Sequence, residues 1–305
     1  MLISRKGKAM DKIKAIIHIA VIVAICLLID SLSIEALGFV FVKSGSLILG
    51  EIVYVCLNIF CTIFVVYLYG KIVMRKAFKE MYLGKPLPSV RWCVVAFLMP
   101  VIMVAFYIIF TEGDFSVENF IGEDIAYAIC YSLLGAGLDA AVTQEIIFRG
   151  MALSTLQKAW GAKGAVFISS VLFIIPYLGN IDTEVSGDVF RLSLGIMIAG
   201  TALSLVVYES GSIWSSVVIH AVYNILSGST LIFHMGTERD MSAIWNYTFD
   251  SDHVLLTGVQ GLNEMDTGIP AMTGFLAIIF LAVYFIKKRG TGIRYAGSPS
   301  YVKQP

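Results

Sequence analysis

The chain has 305 residues, 58% of them hydrophobic and 14% charged, with 22 basic against 22 acidic side chains and a mean hydropathy of +0.83. A soluble globular domain does not reach these values while keeping a hydrated surface, so the composition excludes one and implies a polytopic membrane protein. Cys26, Cys56, Cys61, Cys93 and Cys130 all fall inside apolar stretches without CxxC or Cys/His spacing, which supports neither a disulfide framework nor a thiolate metal site.

From the N-terminus, Arg5, Lys6, Lys8, Lys12 and Lys14 precede an apolar run that ends in IDSLSIEALG without a small-x-small cleavage pattern. This run reads as a retained signal anchor. Apolar runs of about 20 residues, enough to cross ~30 Å of hydrocarbon at about 1.5 Å per residue, predict eight spans. They cover 14–34, 47–70, 91–111, 125–148 with a helical extension, 162–180, 189–208, 212–233 and 268–286. Lysine and arginine collect before the first span, in 71–91, in 149–163 and in the C-terminal tail, 19 of the 22 in all. Only Lys43, Arg191 and Arg239 fall on the other side, whose loops TEGDFSVENFIGED, NIDTEVSGD and 234–267 hold fourteen of the 22 acids. Cytoplasmic segments are enriched in basic residues, so both termini are expected in the cytoplasm and the number of spans is expected to be even.

Residues 125–160 are continuously helix-compatible and would reach ~54 Å at helical rise, too long for one perpendicular crossing. Gly135, Gly137 and Gly150 are the candidate bending points, and Lys158 and Lys163 would lie on a cytoplasmic overhang. Residues 234–267, with Trp245 and Tyr247, read as an extracytoplasmic loop forming a partly ordered lid, and Asn246 opens a glycosylation sequon. Residues 290–305 read as a disordered cytoplasmic tail. The fold expected is all-α: one polytopic membrane helix bundle over residues 1–289 with about eight transmembrane helices. No internal repeat points to an inverted-repeat transporter.

Polar residues inside the spans carry the functional signal. In TQEIIFRGMALSTL, Glu145 and Arg149 stand one helical turn apart and can pair, while Gln144 and Phe148 form a neighbouring row about 100° round. Ionisable groups are costly in a membrane helix, so they mark either a site facing the bundle interior or an ion pair locking two helices. His220 and Asn224 share a face of GSIWSSVVIHAVYNI and must bond to each other or to a neighbouring helix. Between these lies Phe173-Ile-Ile-Pro-Tyr177. Asp139 is a further buried acid, expected to pair with Asn224, Tyr177 or a basic side chain, with structure favoured over function. A metal site built on Glu145, His220 and His234 has too few ligands at known spacing. His18 reads as a helix-interface residue and His253 as a loop residue.

The order QEIIFRG, FxxxY, GSIWSSVVIHAVYN resembles the CAAX protease and bacteriocin-processing family of intramembrane glutamic proteases, also called the Abi family. Its pattern is EExxxR, FxxxH, then HxxxN or HxxxD, and the likeness runs from Leu138 to Ser227 within a family-like core of 125–233. The resemblance implies that the first glutamate acts as general base on a water, while both histidines and the Asn stabilise the developing oxyanion. Residue by residue it puts Gln144 at the base position, Glu145 and Arg149 at the paired positions, Tyr177 at the first His, and His220 and Asn224 at the last block.

Two of these positions depart from the pattern. Gln144 has the shape of a glutamate without its basicity, and Tyr177 donates a hydrogen bond but is a poor proton shuttle at neutral pH. General acid/base chemistry contributes roughly 10² to 10⁴ in rate, so little proteolysis is expected. The reading is therefore a catalytically impaired member that binds a membrane or lipidated peptide or a partner protein, in bacteriocin immunity or in the regulation of a membrane protein. The alternative is an active CAAX-type endopeptidase with Glu145 as base, although Arg149 would hold that carboxylate ionised. No cofactor, metal or nucleic-acid partner is expected, and a bacterial plasma membrane is expected from the chain's compactness.

Overall fold

The structure, a computed structural model, describes residues 2–84, 87–180, 186–250, 256 and 268–290, with the side chains of all but 2–8, 178–180 and 186–188. Expectations for 181–185, for His253 and most of 251–267, and for the tail beyond 290 lie outside the described residues.

Three long helices open the chain: α1 (Leu2–Ser44), α2 (Leu47–Leu68), extended by a π-helical turn at Tyr69–Val73, and α3 (Val90–Phe110). The predicted first span is thus the middle of a longer helix. Ser46 caps α2 by accepting a hydrogen bond from the Leu49 N–H at 3.3 Å, satisfying a donor that a helix start leaves orphaned. A composite run follows: α4 (Gly122–Cys130), α5 (Ala140–Glu145) and α6 (Leu153–Leu172), joined by π-helical turns at Tyr131–Asp139 and Ile146–Ala152. A 3₁₀ turn at Ile175–Asn180, then α7 (Ser186–Ser210), α8 (Trp214–Leu226) and α9 (Ile269–Arg289) complete the bundle.

Predicted spans four and five lie in one helical run, Gly122–Tyr177. The run breaks at Gly161, where φ 70 and ψ 177 suit glycine and strain other residues. Gly135, Gly137 and Gly150, the expected bending points, instead sit in the two π-helical turns. Predicted span seven shortens to the 13 residues of α8. Six helical runs are long and apolar enough to cross a membrane among the described residues, and α8 and the break at Gly161 bring the bundle close to the eight helices expected. Phe39, Phe60, Ile109, Phe110 and Phe280 face outward and exposed, which only a bilayer makes favourable.

One feature is absent from the hydropathy pattern. Strands β1 (Gly113–Val117), β2 (Phe233–Gly236) and β3 (Trp245–Phe249) form a sheet of order β1-β3-β2, with β3 antiparallel to β1 and parallel to β2. Phe115 and Tyr247 pack tilted across it with ring centroids 4.7 Å apart, and Phe249 packs on Tyr107 of α3 at 5.2 Å. The Asn246 side chain is fully buried. Its Oδ1 accepts from the Asp240 N–H at 2.9 Å and its Nδ2 donates to the Asp240 carbonyl at 3.0 Å, so this sequon serves a turn rather than a glycan.

The opposite end gathers charged residues from several elements. Glu209 at the end of α7 accepts from Trp92 Nε1 at 2.8 Å and pairs with Arg91 at 3.4 Å and Arg289 at 3.6 Å. Lys158 stands 3.9 Å from Glu80, and Lys12 lies over the Trp160 ring. The segments grouped by their basic residues are therefore neighbours in space.

Candidate functional site

Glu145 closes α5 and Arg149 lies in the π-helical turn after it, both side chains fully buried. Arg149 Nη1 stands 3.0 Å from Glu145 Oε1 as an ion pair without hydrogen-bond alignment, and its Nη2 donates to the Gly200 carbonyl of α7 at 3.4 Å. The guanidinium carbon sits 3.8 Å above the Phe173 ring, a desolvated cation–π contact. From α8, His220 Nδ1 donates to the same Glu145 Oε1 at 3.1 Å, and its ring meets Phe173 edge to face. Four segments are thus tied through one carboxylate and one aromatic ring. Breaking such a buried pair by removing one partner costs roughly 3–5 kcal/mol.

Gln144 points elsewhere. It lines a cavity of about 530 Å³ bounded by α1, α2 and the α4–α5 run, and Glu145, His220, Tyr177 and Asn224 are not among its walls. Its Oε1 is buried without a hydrogen-bond partner among the described residues. Asp139, Asp30 and Glu51 line the same cavity, as do Tyr54 and Asn58. Tyr54 Oη lies 2.9 Å from Asp30 Oδ1 and 3.2 Å from Asp139 Oδ2, while Asn58 Nδ2 donates to Asp30 Oδ1 at 3.2 Å and Asp139 Oδ2 at 2.9 Å. The expected partners of Asp139, Asn224 or Tyr177 or a basic side chain, are replaced by two side chains of α2. The geometric reason is that the π-helical turn at Tyr131–Asp139 delivers Asp139 to the α2 side of the run.

Asn224 Nδ2 donates to the Ala136 carbonyl in the π-helical turn at 2.9 Å, so Asn224 clamps α8 to the α4–α5 run. Tyr177 lies in the 3₁₀ turn after Pro176, and its ring packs edge to face on Phe173 at 5.8 Å. His18 Nδ1 meets Tyr69 Oη at 2.8 Å and joins α1 to the end of α2, and His234 bonds to the Glu238 carbonyl. The structure thus brings Glu145, Arg149 and His220 together and places Gln144 and Asn224 on different neighbours. Sequence reasoning missed Glu51, Tyr54 and Asn58. Their spacing of three and four residues, on one face of LILGEIVYVCLNIF, is the signal that carries them.

The stretch holding these motifs is recognisable beyond this chain. The family model described as type II CAAX prenyl endopeptidase Rce1-like matches residues 126–226. Over that stretch, a third of its length, the chain is similar to this family. Comparison with curated proteins and with solved structures finds no match. The Rce1-like stretch runs from α4 to the end of α8 and contains Gln144, Glu145, Arg149, Tyr177, His220 and Asn224. Asp30, Glu51, Tyr54 and Asn58 lie outside it, so two of the three acids on the cavity wall come from the two helices that precede the Rce1-like core, and the third, Asp139, from the core itself.

A buried cation lies beyond the spans. Lys76 Nζ donates to Thr155 Oγ1 at 2.8 Å and Ser154 Oγ at 3.3 Å. Burial, with the charge of Lys158 adding to it against the opposing pull of Glu80, pushes its ammonium down to about 7.

Proposed function

We propose that this Rce1-like protein holds a membrane or lipidated peptide, or a membrane partner, without cutting it. One observation carries the reading: the position matching the family's base is Gln144 on the cavity wall, while the adjacent Glu145 is fully buried and engaged by Arg149 and His220. A general base must reach the proton it abstracts, and a carboxylate outside the cavity wall does not reach a peptide lying inside. Gln144 lacks the basicity and Tyr177 replaces the family's imidazole. The bundle is read as a multi-pass protein of a bacterial plasma membrane with both termini in the cytoplasm, supported by the clustering of basic residues at one end and strands at the other. Bacteriocin immunity or control of a membrane-protein partner suits a protein that sequesters rather than cleaves.

The test is peptide turnover by the purified chain in detergent, across prenylated and unmodified peptides, alongside photo-crosslinking of the same peptides. Crosslinking without turnover is expected. Cleavage that Glu145→Gln abolishes would overturn the reading and install the active endopeptidase with Glu145 as base. Restoring both family residues, Gln144→Glu with Tyr177→His, is expected to create cleavage where none existed.

A further inference from the structure

The cavity wall poses a chemical problem that the peptide-holding reading does not address. Asp30, Glu51 and Asp139 all line it, and no lysine, arginine or histidine does so among the described residues. Carboxylates in a low-dielectric interior are tolerated only when their charge is balanced. Tyr54 and Asn58 bond Asp30 to Asp139, yet Asp139 Oδ1 and Glu51 Oε1 have no hydrogen-bond partner among the described residues. Asn58 Oδ1, on a side chain 2% exposed, and Gln144 Oε1 are acceptors on the same wall that likewise have no partner among the described residues. Protonating all three acids would neutralise the wall and give each one O–H donor, whereas a cationic donor group balances the wall with the carboxyls left ionised. What satisfies this set is a group that carries positive charge and several N–H donors and accepts nothing.

We propose that the cavity binds an organic ammonium group, as a lysine side chain, a free amino terminus or a small alkylamine. An ammonium supplies three donors and no acceptor, complementary to carboxylates and amide oxygens. The acids are too dispersed for a bare metal ion, since no three His, Cys, Asp or Glu side chains gather as a metal site among the described residues. Val23, Leu27 and Ile34 supply apolar wall for an alkyl chain attached to the ammonium. A cavity of about 530 Å³ falls within the range of small-molecule sites. Gly135 is part of the construction: a Cβ there would collide with Glu51 Oε1, so glycine lets the Glu51 carboxyl lie against the π-helical turn. Only the peptide source of the ammonium rests on the reading above; the ammonium site itself stands on the wall.

The experiment is calorimetric titration of the full-length chain in detergent with hexylammonium chloride, and with hexanol and sodium hexanoate as controls. Saturable binding of hexylammonium is expected, with hexanol and hexanoate at least tenfold weaker. Glu51→Gln with Asp139→Asn is expected to weaken hexylammonium binding by tenfold or more. Should that pair fail to fold, Gln144→Leu, which leaves every acid in place, is expected to weaken it about threefold. Equal binding of hexanol, or undiminished affinity in a folded variant, overturns the proposal. A second arm crosslinks an apolar helical peptide carrying one central lysine against the same peptide with norleucine. Preference for lysine assigns the ammonium to a peptide, and indifference together with hexylammonium binding assigns it to a free amine. Peptide cleavage by the wild type would remove the holding function while leaving the ammonium site standing.

Discussion

Two clusters of buried ionisable groups sit on opposite sides of the same composite helix. On one side Glu145 faces Arg149 and His220, fully enclosed, with Phe173 closing over the guanidinium. On the other, Asp30, Glu51 and Asp139 face a cavity with only an amide and a phenol between them. The first cluster pairs its carboxylate with a guanidinium, although Glu145 Oε2 and Arg149 Nε have no hydrogen-bond partner among the described residues, and it does not line the cavity. The second leaves charge and acceptors over, beside space. Both occupy the interior of one bundle, so the difference teaches that buried charge alone does not mark where a ligand goes; imbalance beside a cavity does. The motif residues Glu145 and Arg149 join helical segments, and the cavity is lined by other side chains, among them Asp30, Glu51 and Asp139.

The sharpest way to break the contrast is to unbalance the first cluster. Arg149→Met leaves Glu145 with His220 alone and is expected to lower stability by roughly 3–5 kcal/mol, read as a fall in thermal unfolding temperature in detergent. Adding Glu145→Leu is expected to recover most of that loss, because two matched apolar side chains replace a matched ion pair. Lys76 provides an intermediate case, a buried cation with hydroxyl partners but no counter-charge in contact. Its ammonium loses its proton near pH 7 in the folded chain and near the ordinary lysine value when unfolded. Between these limits the unfolded state binds the extra proton, so stability is expected to rise with pH by up to about 1.4 kcal/mol per unit, and Lys76→Met to flatten that slope. The smallest effect belongs to the second cluster: Glu51→Gln, with no ligand added, is expected to change stability by about 1 kcal/mol or less, since it removes a charge that no basic side chain balances. A loss as large as that of Arg149→Met would show that the acidic wall is structural and erase the distinction.

Much of this was legible in the residue order. The bundle follows from apolar runs of spanning length, and the pairing of Glu145 with Arg149 follows from their separation by one helical turn. The cost of an imidazole with no partner in an apolar helix requires that His220 bond to Asn224 or to a neighbouring helix, and Glu145 is the partner found. Asn224 is less accessible, because its acceptor is a backbone carbonyl, Ala136, in a π-helical turn that has no side-chain signature. The partners of Asp139 escaped for another reason: they sit on α2, roughly 80 residues away, and only the i, i+3, i+7 spacing of Glu51, Tyr54 and Asn58 hinted at a polar face there. Arg149 was counted among the basic residues of a cytoplasmic tip, yet it is fully buried, so a tally of charges cannot by itself separate topological arginines from enclosed ones. The sheet was hidden because its strands are short and lie in loops that the hydropathy pattern passes over.

That sheet decides which helices are free to part. It staples the connection after α3 to the connection after α8, so at that end a helix cannot tilt without dragging strands across a hydrogen-bonded ladder. Neither α1 nor α2 contributes a strand, and the two form a hairpin joined by a tight link at Gly45 and Ser46. The backbone ladder therefore ties the connections after α3 and α8 to each other, while the α1–α2 hairpin is fastened to the bundle through its side chains, Tyr54 and Asn58 among them.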